Sequence, residues 1–364
     1  MYSASTQHRL PSIVAFLSFV CIVLLGLCSC QRNRSPAYSI VSEPESTSVI
    51  RIYFTKPGLP TNGSGHPANV IAQYISQTKD ELDVCAHELD SEPITQAILQ
   101  AHRRGVQVRV VVETAYKEEK GICVLRKAGI PVVDDGRDGA LMHNKFLVFD
   151  RKAVWTGSMN FTENCTSRND NHGIYIADEK LAENYHTKFR WMFEERKFGS
   201  LPAKNSRIPH PVITLADGTM VENYFAPHDR LAEKIIRRIQ EAKTSIHFLA
   251  FSFTHRGIAE AILERAKNGV EVVGILERRQ AVAGHSMYPQ FLAAAPPVKV
   301  LLDGNKYNMH HKVIILDQMI TIAGSFNFSV GADRDNDENI LIIHSRTVAQ
   351  QFEQEFQRVL AQAR

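Results

Sequence analysis

Cysteine is scarce in this 364-residue sequence, and so is net charge. Cys21, Cys28 and Cys30 fall in the leading segment, which leaves Cys85, Cys123 and Cys165 for the body. Three thiols allow one bridge and one leftover, and their spacing suits no metal, so neither a disulfide framework nor a cysteine-based metal centre is expected. Burial as small apolar side chains is the expected role for at least one of them. Lys and Arg number 42 against 39 Asp and Glu, a formal charge of +3. A balance this near neutral does not demand a nucleic-acid partner.

One long uncharged stretch stands out. Residues 1–12 carry Arg9 and no acid, and Ile13 to Ser29 is strongly apolar. That pattern is a signal-peptide h-region or a short membrane anchor. Leu27-Cys28-Ser29-Cys30 resembles a lipoprotein cleavage box with Cys30 as the lipidated residue, although Cys28 stands where a small residue is preferred. The expectation is an exported chain, tethered in the cell envelope or secreted; the alternative is an N-terminal anchor with the body facing the cytoplasm. Residues 31–48 are polar and read as a spacer.

The apolar content of 44% supports two cores. Strands are expected at Val49–Phe54, Leu82–Ala86 and Val106–Val112, with helices at Ala68–Lys79 and Ile94–Arg104, the second closed by Gly105. This alternation argues for layered α/β domains. It also repeats: Ile94-Thr-Gln-Ala-Ile-Leu aligns with Ile258-Ala-Glu-Ala-Ile-Leu, and Gly105-Val-Gln-Val with Gly269-Val-Glu-Val. At a slightly longer spacing, Tyr185, Phe189 and Phe193 answer to Phe352, Phe356 and Leu360. Two homologous halves follow, residues 49–200 and 213–364, joined by a linker over 201–212. Such halves pack around a pseudo-twofold axis, as in a symmetric dimer.

Each half carries the same nine-residue stretch, Met142-His-Asn-Lys-Phe-Leu-Val-Phe-Asp150 and Met309-His-His-Lys-Val-Ile-Ile-Leu-Asp317. Each is followed by a matching tail, Gly157-Ser158-Met159-Asn160 and Gly324-Ser325-Phe326-Asn327. The apolar runs are those of strands buried on both faces. On a strand, alternate residues share a face, so His143 projects beside Lys145 and His310 beside Lys312. Asp150 and Asp317 begin turns, and a purely structural role for them weighs evenly against a catalytic one. The tail glycines allow close backbone approach to a ligand, and the serine hydroxyls and asparagine amides supply donors for anionic oxygens.

Two imidazoles, two ammonium groups and two amides suit in-line attack on a phosphodiester. One histidine attacks phosphorus and the other protonates the departing oxygen, while Lys145, Lys312, Asn160 and Asn327 stabilise charge on the non-bridging oxygens. Neither metal nor cofactor is called for. Asn160-Phe161-Thr162 and Asn327-Phe328-Ser329 also spell glycosylation acceptors, but a glycan there would block the cleft.

The paired His-x-Lys-x4-Asp motifs with downstream Gly-Ser-x-Asn resemble those of the phospholipase D superfamily. The resemblance implies two phospholipase D-like α/β/α domains in a pseudo-dimer with one shared active site. It also implies a phosphohistidine intermediate, with His143 as nucleophile and His310 as acid/base. Glu338 fits the family carboxylate that orients an active-site histidine; in the first half Asn171 occupies that place, a departure from symmetry. The implied activity is phospholipase D-type hydrolysis or transphosphatidylation of phospholipids at a membrane surface. The alternative is an endonuclease acting on DNA or RNA, for which Arg103-Arg104 and Arg278-Arg279 are candidate contacts. Residues 283–297, with Met287, Tyr288, Phe291 and Leu292, form either an apolar cleft mouth or a loop packed on its own domain. A binding module without chemistry would be signalled by loss of a motif His or Lys, and all four are present.

Overall fold

The computed structural model describes residues 49–61, 63–200 and 207–364. The expected leader, the spacer up to residue 48 and residues 201–206 of the expected linker lie outside the described residues.

Strands β1 (Ile50–Thr55), β2 (Glu81–Ala86), β3 (Gln107–Val112), β4 (Val132–Asp134), β5 (Lys145–Phe149), β6 (Ala153–Gly157) and β7 (Asn171–Ile176) form one sheet. Its order is β1-β7-β6-β5-β2-β3-β4. A second sheet contains β8 (Val212–Thr214), β9 (Met220–Ala226), β10 (Ser245–Ala250), β11 (Glu271–Leu276), β12 (Lys299–Leu302), β13 (Lys312–Leu316), β14 (Ile320–Gly324) and β15 (Glu338–His344). It runs β12-β11-β10-β13-β14-β15-β9-β8, the same order plus one edge strand. In both sheets the motif strand, β5 or β13, is central and antiparallel to β2 or β10, and every residue of it is buried. Such a strand has no polar face to show, which is why its apolar run is unbroken.

Outer helices Pro67–Gln77 and Glu92–Arg103 cover the first sheet, and Leu231–Glu241 and Arg256–Lys267 cover the second. Between the sheets lies a third apolar cluster that joins the halves: Phe146, Ile174, Tyr185 and Phe189 pack with Val313, Leu341, Phe352 and Phe356. Tyr185 and Phe189 come from helix Glu179–Phe193, capped by Asp178; Phe352 and Phe356 come from helix Arg346–Leu360, capped by Ser345. Burying inner faces in a common cluster makes the two halves one hydrophobic unit.

Polar pairs cross the same interface. Asn339 Nδ2 donates to Asn144 Oδ1 (2.7 Å). The residues related by the repeat, His172 and His311, stack with an interplanar angle of 4° and share an Nδ1–Nδ1 hydrogen bond of 3.2 Å. On one side Lys188 and Arg137 bind Asp337 (2.7 Å each); on the other Arg358 binds Asp170 (2.5 Å) and Glu355, which receives His311 (2.9 Å). No helix of the described residues is long and apolar enough to cross a membrane.

Local readings are adjusted in two places. The Ala68–Lys79 helix stops at Gln77, because Thr78 turns extended. Within 283–297 a short helix, Tyr288–Leu292, sends Phe291 into its own domain against Phe248 and Phe253. Met287, Tyr288 and Phe291 therefore pack on their own domain rather than forming a cleft mouth, while Leu292 stays exposed.

Candidate active site

The motif histidines sit just before β5 and β13, where two short parallel bridges tie the sheets together. His143 N donates to Asp337 O (3.0 Å), and His310 N to Asp170 O (2.8 Å). Both imidazoles line one cavity of about 400 Å³, together with His87, Glu88, Asn160 and Cys165 from the first half and Phe251, Arg279, Tyr307 and Asn308 from the second.

Each imidazole is held by the opposite half. His143 Nδ1 meets the Glu338 carboxylate at 2.8–2.9 Å, and His310 Nδ1 meets Asn171 Oδ1 at 2.9 Å. Engaging Nδ1 leaves Nε2 as the reactive nitrogen and sets the tautomer. The orienting groups are themselves held: Ser325 Oγ donates to Glu338 (2.6 Å), and Ser158 Oγ to Asn171 (3.1 Å). The two serines also accept from the amides of Asn339 (3.0 Å) and His172 (3.1 Å). Their expected donation to a ligand is thus replaced by support of the orienting side chains.

Lys145 and Lys312 are buried, and each donates to the carbonyl of its motif histidine, at 3.0 Å for Lys312. Burial pushes Lys145 down to about 8, and pushes Lys312 well below its ordinary value with help from Lys145. Burial, then the two lysines, lowers both motif histidines well below the usual imidazole range. Glu338 is pushed up to about 8 by burial, against the pull of Lys145. Cations packed this tightly favour an anion between them, and a phosphate would lift the lysines back towards full charge.

Asn160 lines the cavity; its Nδ2 donates to Glu88 (2.9 Å) and its buried Oδ1 has no partner. Asn327 does not line this cavity, and its Oδ1 is likewise unpartnered.

Asp150 and Asp317 stand at the far ends of β5 and β13 from the histidines. Asp150 and Arg151 have φ of 49° and 52°, and Asp317 and Gln318 of 53° each, so each pair forms the left-handed centre of a tight hairpin turn. Asp150 accepts from the amides of Lys79, Asp80 and Glu81 (2.7–3.1 Å), and Asp317 from those of Lys243, Thr244 and Ser245 (2.7–3.1 Å). The catalytic placement of these aspartates is corrected: they lock hairpins. The tail glycines answer to their neighbours too. A Cβ on Gly157 or Gly324 would lie 2.3 Å from the carbonyl oxygen of His172 or Asn339 on the adjacent strand, so it is that strand, not a ligand, that approaches closely.

Sequence reasoning missed His87 and Glu88, which follow β2, and Phe251, which follows β10. His87 packs edge-on against His143 (4.7 Å between ring centres), and Phe251 does the same to His310 (4.6 Å). The repeat that aligns Ile94 with Ile258 also equates His87 with Phe251. That substitution of a polar ring was the signal available. Cys85 and Cys165 are buried thiols, as expected.

The family described as "Cardiolipin synthase, PLD-like domain" matches residues 71–193 and again 235–360. A phospholipase D of Rickettsia prowazekii (strain Madrid E) is 34% identical over 155 residues, 42% of this chain and 71% of that protein. The Homo sapiens mitochondrial cardiolipin hydrolase is 33% identical over 191 residues, 48% of this chain and 75% of that protein. Among solved structures, the phosphatidylserine synthase of Haemophilus influenzae Rd KW20 shares the fold at 14% identity, with a TM-score of 0.64 over 86% of this chain and 87% of the other.

Proposed function

The chain belongs to the phospholipase D superfamily, and from that premise we propose a phospholipase D-type hydrolase that works through a phosphohistidine. The observation that carries the proposal is the crossed arrangement of the site: two imidazoles in one cavity, each oriented through Nδ1 by the opposite half.

The inequality of the orienting groups supports a division of roles. Glu338 behind His143, with a pKa of about 8, can ionise as the imidazole gains charge and so stabilises the positive imidazole that bonding to phosphorus creates. A neutral amide behind His310 offers no such charge, so His310 gives up its proton more readily and serves as the acid. In the first step His143 Nε2 bonds to phosphorus as the P–O bond to the alcohol breaks, and the proton of His310 goes to the departing oxygen. In the second step water attacks phosphorus, its proton passes to His310, and the P–N bond breaks. Lys145, Lys312 and Asn160 neutralise the non-bridging oxygens.

Phospholipid is the proposed substrate, with residues 1–30 as a proposed export signal or membrane anchor and 31–48 as its linker, a tether that raises the local concentration of lipid. The two relatives named for lipid hydrolysis support that choice. His143→Asn and His310→Asn should each abolish head-group release from phospholipid vesicles by several orders of magnitude, and EDTA should leave the parent enzyme active. Acid-labile, alkali-stable phosphate should be trapped on His143 in quenched turnovers. Near-normal rates in either variant would overturn the assignment. Salt-sensitive cutting of single-stranded DNA or RNA without any head-group release would make the enzyme a nuclease.

A further inference from the structure

Of the two tail amides, Asn160 lines the cavity and Asn327 does not, and the difference traces to a residue outside the motifs. Glu88, just after β2, lines the same cavity and accepts from Asn160 Nδ2 at 2.9 Å. The Glu88 side chain is itself held. The Tyr116 hydroxyl hydrogen-bonds to it, and His87 Nε2 stands 3.6 Å from the oxygen that Asn160 meets. Burial, with Asp90, raises the Glu88 pKa, while Lys145 and the Tyr116 hydroxyl oppose that rise. The backbone fixes the spacing: Phe161 N donates to Glu88 O (3.2 Å), and the amides of Asp90 and Ser91 donate to Phe161 O (3.2 and 3.0 Å).

The second half supplies the control. Its backbone makes the same bridge, Phe253 with Phe328 as Leu89 with Phe161, and the amides of Thr254 and His255 donate to Phe328 O (2.8 Å each). The repeat that equates His87 with Phe251 sets Glu88 against Ser252. The two halves therefore lay the same stretches side by side and differ in the side chain offered to the amide. Serine is two carbons shorter than glutamate, and on its side the tail amide stays out of the cavity.

An asparagine amide presents either a donor or an acceptor, whereas the non-bridging oxygens of a phosphodiester only accept. Turned the other way, Asn160 would set Oδ1 against the Glu88 carboxylate, oxygen against oxygen. Glu88 thus fixes the donor end, and Nδ2 keeps a second hydrogen for the substrate while Oδ1 stays buried without a partner. A donor fixed before charge develops need not reorganise as it forms.

We propose that Glu88 is a positioning residue that acts through Asn160, holding the amide donor towards a non-bridging oxygen of the scissile phosphate. This rests on the phosphodiesterase reading above and adds a division of labour: the first half alone supplies the fixed amide.

The test uses the full-length chain and bis(p-nitrophenyl) phosphate, a plain diester that is neither lipid nor nucleotide. Asn160→Ala should lower kcat on the order of 100-fold. Glu88→Ala should lower kcat by about tenfold or more with KM changed less than about twofold. The double variant should be no slower than Asn160→Ala alone, because both changes remove one interaction. Glu88→Gln keeps an acceptor in place and should recover to within about threefold of the parent. Where Glu88→Ala does not fold, Glu88→Asp keeps the charge but withdraws the oxygens by one carbon, and should be slowed in the same way. Parent kcat in Glu88→Ala or Glu88→Asp, Glu88→Gln as slow as Glu88→Ala, or full additivity in the double variant would overturn the positioning role and leave the phosphodiesterase reading intact. A His143→Asn variant at the parent rate would overturn both.

Discussion

At the scale of single residues, the site depends on what stands behind each imidazole. Glu338→Gln keeps the shape and the hydrogen bond from Ser325 but removes the ionisable group facing His143, so no negative charge can form there when the imidazole turns positive. We expect turnover to fall by about 100-fold or more, with the folded structure intact by circular dichroism. Asn171→Asp does the reverse to His310. A carboxylate on Nδ1 favours the charged imidazole, so the His310 pKa should rise. Because His310 must be protonated to release the alcohol, the alkaline limb of the kcat profile should move to higher pH. A profile unchanged in Asn171→Asp would show that His310 is not the acid.

At the scale of elements, hairpins and sheet edges are held by carboxylates remote from the chemistry. Asp150→Ala removes an acceptor from three amides and places alanine in a left-handed conformation it disfavours. A loss of about 2 kcal/mol or more in denaturant unfolding is expected, with kcat per folded molecule nearly unchanged. Glu222 on β9 makes a pH-dependent contribution. Burial would raise its pKa, but hydrogen bonds from His344, Arg238 and Tyr224 overcome that and hold it near 2, against 4.5 ordinarily. The carboxylate is depressed on folding, so its stabilisation is present above about pH 4.5 and is lost as pH falls towards 2. Glu222→Gln should flatten that part of the stability profile measured by urea melts.

At the scale of the whole molecule, the halves meet through paired polar groups, and one of these groups, His172, has a shifted pKa. His172 is fully buried, and burial, then His311 and Lys312, lowers its pKa well below the ordinary value. Glu355, Arg358 and Asp170 complete the charged surroundings of the pair. The unfolded chain binds a proton here near pH 6.5 and the folded chain does not, so stability falls as pH drops below about 6.5. The symmetric side carries Asn144 and Asn339 instead. Converting both histidines, His172→Asn with His311→Asn, should therefore leave a folded protein whose unfolding midpoint is less sensitive to acid between about pH 6.5 and 5. A double variant as acid-sensitive as the parent would place the titrating group elsewhere.

Much of this molecule is local pattern, and local pattern is legible. Unbroken apolar runs named the buried strands, and the alternation of strand residues put His143 with Lys145 and His310 with Lys312. The recurrence of Ile94 to Leu99 as Ile258 to Leu263 exposed the two halves. Glu338 and Asn171 were also recognisable as orienting groups, because the resemblance supplied their place. What no local pattern contains is which histidine each one holds. Contacts spanning 195 and 139 residues join Glu338 to His143 and Asn171 to His310, and only the packing of one half on the other creates them. The same holds for Asp150 and Asp317, whose motif spacing cannot tell a catalytic carboxylate from one that caps a neighbouring strand's amides. The contact of Arg168 with Tyr307 is likewise tertiary. Arg168 belongs to the first half of the chain and reaches the Tyr307 ring of the second only when the fold packs the two together. Periodicity is written in neighbours along the chain, whereas a shared active site is made from partners that sequence distance hides.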